Sequence, residues 1–358
     1  MQTIIDNAIE QINQGTEWIL KNAKVDKKKS YKALVKERGT LKKIKSTYDT
    51  KATVVLYGQS QCGKSHLSSS LLSADGKPMQ VVDRINGINY EFLTHLNPQG
   101  SGEATGLITR FTTQPQNDIT SEYPVHIKLM SIKDITLMLC DGYYRDIERR
   151  EPFSPENIKR LLEELKSRKT NLQQGYITED DMGDIEEYFH NFSQDMYYAL
   201  SSDATDYFGE LSLMIEFLTE KDVILALKML WNNDPNLSDK FEQLFNACKQ
   251  IDFACDAYIS FDELNNSKGK TLLDVGWLDL KDTSTQLQLR YKSFSTDYKS
   301  AFVAKTYLAA ICAEVVLEVV PPTDGKSEKA DYIGKILRNV GSTRFCVGRP
   351  LFHVVVGL

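Results

Sequence analysis

The chain has 358 residues, 41% of them apolar, with 43 basic and 49 acidic side chains and a net charge of −6. That length fits about two domains with ample apolar mass for a core. No run reaches the ~20 apolar residues of a membrane span, Asp6 stands where a secretion signal would be basic, and the interspersed charge offers no broad basic face. A soluble, cytoplasmic protein that binds no nucleic acid is therefore expected, although an assisted export route leaves no trace in a sequence. Cys62, Cys140, Cys248, Cys255, Cys312 and Cys346 lack CxxC spacing, and no His stands near the closest pair, Cys248 and Cys255. That argues against zinc and for reduced thiols.

Residues 1–50 predict leading helices. Ile4, Ile5, Ala8, Ile9, Ile12, Trp18 and Ile19 recur near helical spacing, and a lysine-rich helix over 30–48 carries Leu34, Leu41 and Ile44 on one side. Lys27-Lys28-Lys29 falls between them and reads as a solvated turn, with a lipid or nucleic-acid contact as the weaker alternative. The β-branched run 53–57 predicts a buried strand and 66–72 a helix. Alternation over 125–130 predicts another strand, and Ser131 with Asp134 has the form of a capping box before an apolar helix. From Ser154-Pro155 to about Cys255 the chain is helical in period and highly charged, with a break at Asp234-Pro235. The carboxylates Asp180, Asp181, Asp184, Glu186 and Glu187 share one helix face and read as solvation rather than a metal site. Strands are expected over 271–275, 286–291, 315–320 and 354–356, with a helix over 301–313.

The chemistry begins at Gly58-Gln59-Ser60-Gln61-Cys62-Gly63-Lys64-Ser65, which matches G-x-x-x-x-G-K-[S/T]. The glycines let the loop bend so that successive amides, from Gly58 to the first helical residues and His66, point at phosphate oxygens. Lys64 reaches the β- and γ-phosphates, Ser65 holds Mg²⁺, and the following helix offers its N-terminus to the same anion. A strand directly before and a helix directly after are the context that the motif requires. About 40 residues on, Gly106-Leu107-Ile108-Thr109-Arg110-Phe111 offers a threonine to close over the γ-phosphate and metal. Thr109 is the first choice there and Thr105 the second.

This switch segment resembles that of dynamin-type GTPases. Together, Val55 to Ser65, Leu96-Asn97-Pro98 and Glu103 to Phe111 resemble the bacterial putative virulence factor family of the SrfC type, in which a dynamin-like P-loop domain accompanies long helical regions. The likeness is strong at 53–112 and weak elsewhere. It implies a GTPase with Mg²⁺ in which Lys64, Thr109 and Gln61 serve catalysis, Ser65 and Thr109 hold the metal, and a homodimer forms through the nucleotide face.

Several features depart from that pattern. Ser60 and Gln61 stand in the reverse of the dynamin order. No [Asn/Thr]-Lys-x-Asp guanine reader follows the loop, because Lys221-Asp222 and Lys281-Asp282 lack its spacing. The Walker-B aspartate has three imperfect candidates: Asp141 before Gly142, Asp274 before Gly276, and Asp331 before Gly334. The fold expected is α/β, a three-layer P-loop NTPase core. Leading N-terminal helices occupy 1–50, the first part of the core 51–130, a large helical insertion 131–260, and the remaining strands and helix 261–358. GTP is the expected ligand. A catalytically silent, nucleotide-gated interaction protein or virulence effector, and a P-loop ATPase, stand as alternatives.

Overall fold

The computed structural model describes residues 2–48, 54–58, 63–73, 76–83, 87–96, 123, 125–128, 130–147, 150–202, 205–254, 256–259, 278–281, 286–289, 315–320 and 352–357. In chain order these give α1 (Gln2–Asn22), α2 (Lys27–Tyr48), β1 (Val54–Gly58), α3 (Lys64–Leu71), β2 (Gln80–Asp83), β3 (Ile88–Glu91) with a π-helical turn at Phe92–Leu96, and β4 (Val125–Lys128). There follow α4 (Ile132–Asp146), α5 (Pro155–Arg168), α6 (Glu179–Phe192), α7 (Gln194–Leu200), α8 (Tyr207–Ser212), α9 (Glu220–Lys228) and α10 (Pro235–Gln250), with 3₁₀ turns at Ile215–Phe217 and Met229–Trp231. The last elements are β5 (Asp256–Ile259), β6 (Leu278–Lys281), β7 (Gln286–Leu289), β8 (Val315–Val320) and β9 (Phe352–Gly357). The strand expected over 271–275 and the helix over 301–313 fall outside the described residues. Contacts divide the chain into two units, one drawing on 1–52 and 132–242, the other on 53–131, 243–336 and 351–358.

The first unit is helical, and several of its helices begin where the sequence supplies an acceptor for their opening amides. Ser154 Oγ accepts from Asn157 N at 3.2 Å with Pro155 in the first turn of α5. Thr178 and Asp181 form a reciprocal capping box at α6, Asp181 N donating to Thr178 Oγ1 at 3.1 Å and Thr178 N to Asp181 Oδ2 at 2.9 Å. Thr219 opens α9, and Asp234 accepts from Leu237 N at 3.0 Å ahead of α10. Each such cap stabilises its helix by about 1 kcal/mol.

The apolar periodicity of these helices converges on an aromatic core. Phe189 packs edge-on against Tyr144 at 5.1 Å between centroids and tilted against Phe208 at 5.5 Å, and all three are buried. Trp231, fully buried, meets Phe241 edge-on at 5.2 Å. Such edge and tilted contacts put positive ring edges on negative faces.

Two expectations are corrected in this unit. Lys27-Lys28-Lys29 is the first turn of α2 rather than a solvated turn, and two of its lysines are engaged. Lys27 Nζ donates to the Leu20 carbonyl near the end of α1 at 2.6 Å, and Lys28 pairs with Asp206 and Glu210. The acidic face of α6 is not given over to water. Lysines and Arg38 of α2, with Lys133 of α4, lie against Asp180, Asp181, Asp184, Glu186 and Glu187. Nine basic residues on α2 against the single acid Glu37 make it the complement of that face.

In the second unit β1, β8 and β9 form a parallel sheet in the order β1-β8-β9, with Val54 opposite Val315, Gly58 opposite Val319, and Val315 opposite Phe352. Runs such as Val-Val-Leu-Tyr and Val-Val-Leu-Glu-Val-Val suit a parallel sheet, whose strands are covered on both faces. Antiparallel pairs join β2 with β3, β4 with β5, and β6 with β7.

Candidate nucleotide site

β1 carries the first motif residue. Gly58 is its last residue, at the carboxyl end of the parallel strands, which is where open α/β sheets bind ligands. The chain re-enters the described structure at Gly63, with φ +90° and ψ 10°. A side chain there would crowd the backbone, so the second motif glycine is a conformational requirement.

Gly63 is also the N-cap of α3 and contributes no side-chain cap; its carbonyl accepts from Leu67 N at 2.9 Å. Lys64, Ser65 and His66 form the first turn. Gly63, Lys64 and Ser65 are half-buried and His66 is exposed. An α-helix leaves its opening amides without intrahelical partners and its positive dipole end facing outward, so this turn is chemically suited to an anion. Ser68 Oγ donates to the Lys64 carbonyl at 3.0 Å, tying the first turn to the second.

The structure thus places Gly58 at the end of β1, and Gly63, Lys64, Ser65 and His66 at the start of α3. Gln59, Ser60, Gln61 and Cys62 lie outside the described residues, as do Thr105, Thr109 and Arg110. Of the three aspartates weighed for a metal-facing role, Asp274 and Asp331 also lie outside. Asp141 sits within α4, fully buried, and accepts a hydrogen bond from the Tyr188 hydroxyl. It belongs to the core of the helical unit and ends no strand. Asp222 is likewise committed: it takes the Arg168 guanidinium at 3.0 Å and its amide is capped by Thr219. No group of His, Cys, Asp and Glu among the described residues has the geometry to hold a metal ion.

Sequence reasoning missed a cleft of about 260 Å³ beside α3, where His66, Ser70, Ser73 and Lys77 are among the lining residues. Helical spacing of 66, 70 and 73 was its only available signal. No helix among the described residues is long and apolar enough to cross a membrane.

The model of the family described as putative bacterial virulence factor matches residues 12–333. The chain belongs to that family. No curated protein and no solved structure matches it. For this virulence-factor family member, the match spans the helices α2 to α10 and the strands β1 to β8, and so takes in residues of both units.

Proposed function

We propose that this family member is a P-loop nucleotide-binding protein of the SrfC-type, dynamin-like kind, which binds GTP with Mg²⁺ and hydrolyses it. The observation that carries the reading is Gly63 at φ +90° directly ahead of Lys64 and Ser65, at the start of a helix that follows a parallel strand ending in Gly58. A three-layer α/β core, interrupted by the helical unit, is the fold that accompanies this reading. The parallel order β1-β8-β9 supports it.

The donor set suits a hard cation. Ser65 offers a hydroxyl oxygen beside the ammonium of Lys64, and oxygen ligands with a phosphate are what Mg²⁺ takes. When bound, the metal would neutralise charge on the β- and γ-phosphate oxygens. Lys64 would lie along the same phosphates and hold their charge, and the amides of the α3 first turn would orient them. Phosphoryl transfer to water needs such positioning rather than a covalent nucleophile. Thr109 is proposed to close the site, Gln61 to orient the attacking water, and a second copy to complete it across the nucleotide face.

One observation favours a second reading, a nucleotide-gated interaction protein without turnover. Asp141, one of the three acids weighed for a metal-facing role, is occupied within the helical core. The P-loop itself is common to GTP and ATP users, so an ATPase is the remaining form of the proposal.

Titration of the full chain with fluorescent GTP and ATP analogues plus Mg²⁺, beside Lys64→Ala, tests these readings. Saturable GTP binding that weakens about 10–100-fold in the variant is expected, the scale of one lost charge-assisted contact. Multiple turnover separates the enzyme from the silent binder, and competition by ATP alone identifies an ATPase. Binding of neither nucleotide overturns the proposal.

A further inference from the structure

We infer that the α1–α2 hairpin is a latched arm, a cohesive two-helix piece held to the face formed by α6 and α8 through a set of ion pairs. Its internal ties are several. Ile19 of α1 and Tyr31 and Val35 of α2 form one buried cluster, with Ala23 and Leu34 packed against it. Gly15 lets the helices approach, since a Cβ there would stand 3.1 Å from Leu34 Cδ1. Lys45 pairs with Asp6 at 2.6 Å, and Arg38 Nη1 donates to Asn13 Oδ1 at 3.2 Å. Leu213 of the helical body packs against this cluster.

The outward ties are of another kind. Lys28 meets Asp206 at 3.1 Å and also Glu210; Lys32 meets Asp206 at 3.0 Å and Glu186 at 3.2 Å. Arg38 meets Asp180 at 2.9 Å and also Glu179, Lys42 meets Asp180, and Lys43 meets Asp184 at 2.6 Å and Glu187 at 3.3 Å. Tyr31 adds its hydroxyl to Glu179.

The four lysines of this set keep 25–51% of their side-chain surface in water, whereas Arg38 keeps 8%. Salt screens the exposed lysine pairs more than the buried pairing of Arg38 with Glu179 and Asp180, and it does not screen apolar contacts. Ionic strength therefore weakens the attachment while leaving the hairpin and the body intact. On release Lys133 of α4 remains on Asp181 and Asp184, and Lys166 of α5 on Glu210, while Asp180, Asp206, Glu186 and Glu187 give up their ion pairs to water. Release would uncover the cationic face of α2. Residues 49–53 join that helix to β1, the strand that ends in Gly58.

The test is chemical footprinting of the full chain at ~50 mM and ~1 M NaCl, where the Debye length falls to about 3 Å. Acylation reads Lys32, Lys43 and Lys133, and hydroxyl-radical oxidation reads Leu213. On the latch, labelling of Lys32, Lys43 and Leu213 rises together by about tenfold at high salt, while Lys133 stays protected and helicity is constant. Arg38→Glu reproduces this at low salt, and adding Glu179→Lys and Asp180→Lys reverses it. Lysines that gain reactivity while Leu213 stays covered, or Lys133 opening in parallel with them, overturn the inference. Should Arg38→Glu fail to fold, the salt series on the unaltered chain still decides.

Discussion

Tyr188 of α6 donates its hydroxyl to the carboxylate of Asp141 in α4, and the two residues are 3% and 0% exposed. A buried carboxylate held by a phenol is a structural group, and it separates fold from function at a residue whose Asp-Gly sequence invited a metal-facing role. Asp141→Ala is expected to cost about 1–3 kcal/mol in urea unfolding of the helical unit, since the Tyr188 hydroxyl loses its acceptor. GTP-analogue affinity should stay within about twofold of the unaltered protein. A parallel collapse of binding in a folded Asp141→Ala protein would return this residue to the site.

Gly63→Ala places a Cβ at φ +90°. The expected cost is about 1–3 kcal/mol of local strain, relieved by rotating the backbone out of the left-handed region. That rotation re-aims the α3 first turn, so nucleotide affinity should fall about tenfold or more while far-UV circular dichroism is unchanged. Isothermal titration with a GTP analogue and Mg²⁺ checks it.

The acidic groups facing α2 set a pH limit. Burial alone would raise the Asp184 carboxyl, but Lys133 and Lys43 outweigh it and hold it below the usual carboxylate range. Asp206 is likewise raised by burial and more strongly lowered by Lys32 and Lys28, and Glu210 by Lys166 and Lys28. A depressed folded value means stability that is present above the unfolded pKa, about 4, and lost as pH falls through the folded one. On the alkaline side Lys28, Lys32 and Lys133 keep raised values against the pull of burial, so their contribution persists below their ordinary pKa and fades above it. Melting temperatures of the helical transition should be flat between about pH 5 and 9 and fall steeply below about pH 4. A steady decline from pH 7 to 5 would contradict this.

Trp231 donates its indole N–H to Ser238 Oγ at 3.1 Å inside the core. Ser238→Ala removes the acceptor and is expected to cost about 1–3 kcal/mol. Ser238→Thr, which keeps a hydroxyl, should recover most of it. Equilibrium unfolding followed by Trp fluorescence gives both values.

Local chemistry was legible wherever it acts over a few residues. Ser154-Pro155 marks a helix start because capping is a contact over three positions, and Asp234-Pro235, read as a break, opens α10. Val54 to Gly58 is a strand because β-branched residues fit a covered parallel sheet. The motif glycine at 63 follows from the turn it must make.

What the sequence hid is what depends on distant partners. Asp180 and Glu187 read as solvation because Arg38 and Lys43, more than 130 residues earlier, are invisible to a helical wheel. Lys28 read as a turn for the same reason. Trp18, placed with the apolar stripe of α1, lies 62% exposed while Ile19 is buried, because α2 covers only one side of that helix.

The pairing of Val54 with Val315 carries a consequence for biosynthesis. The two strands are about 260 residues apart, so β1 leaves the ribosome roughly 13–50 s before β8 exists to pair with it. Through that interval an apolar strand end with open amides waits for its partner. The nascent chain is therefore most exposed to trapping by chaperones, or to misassembly with its neighbours, at the very segment that carries the glycine loop.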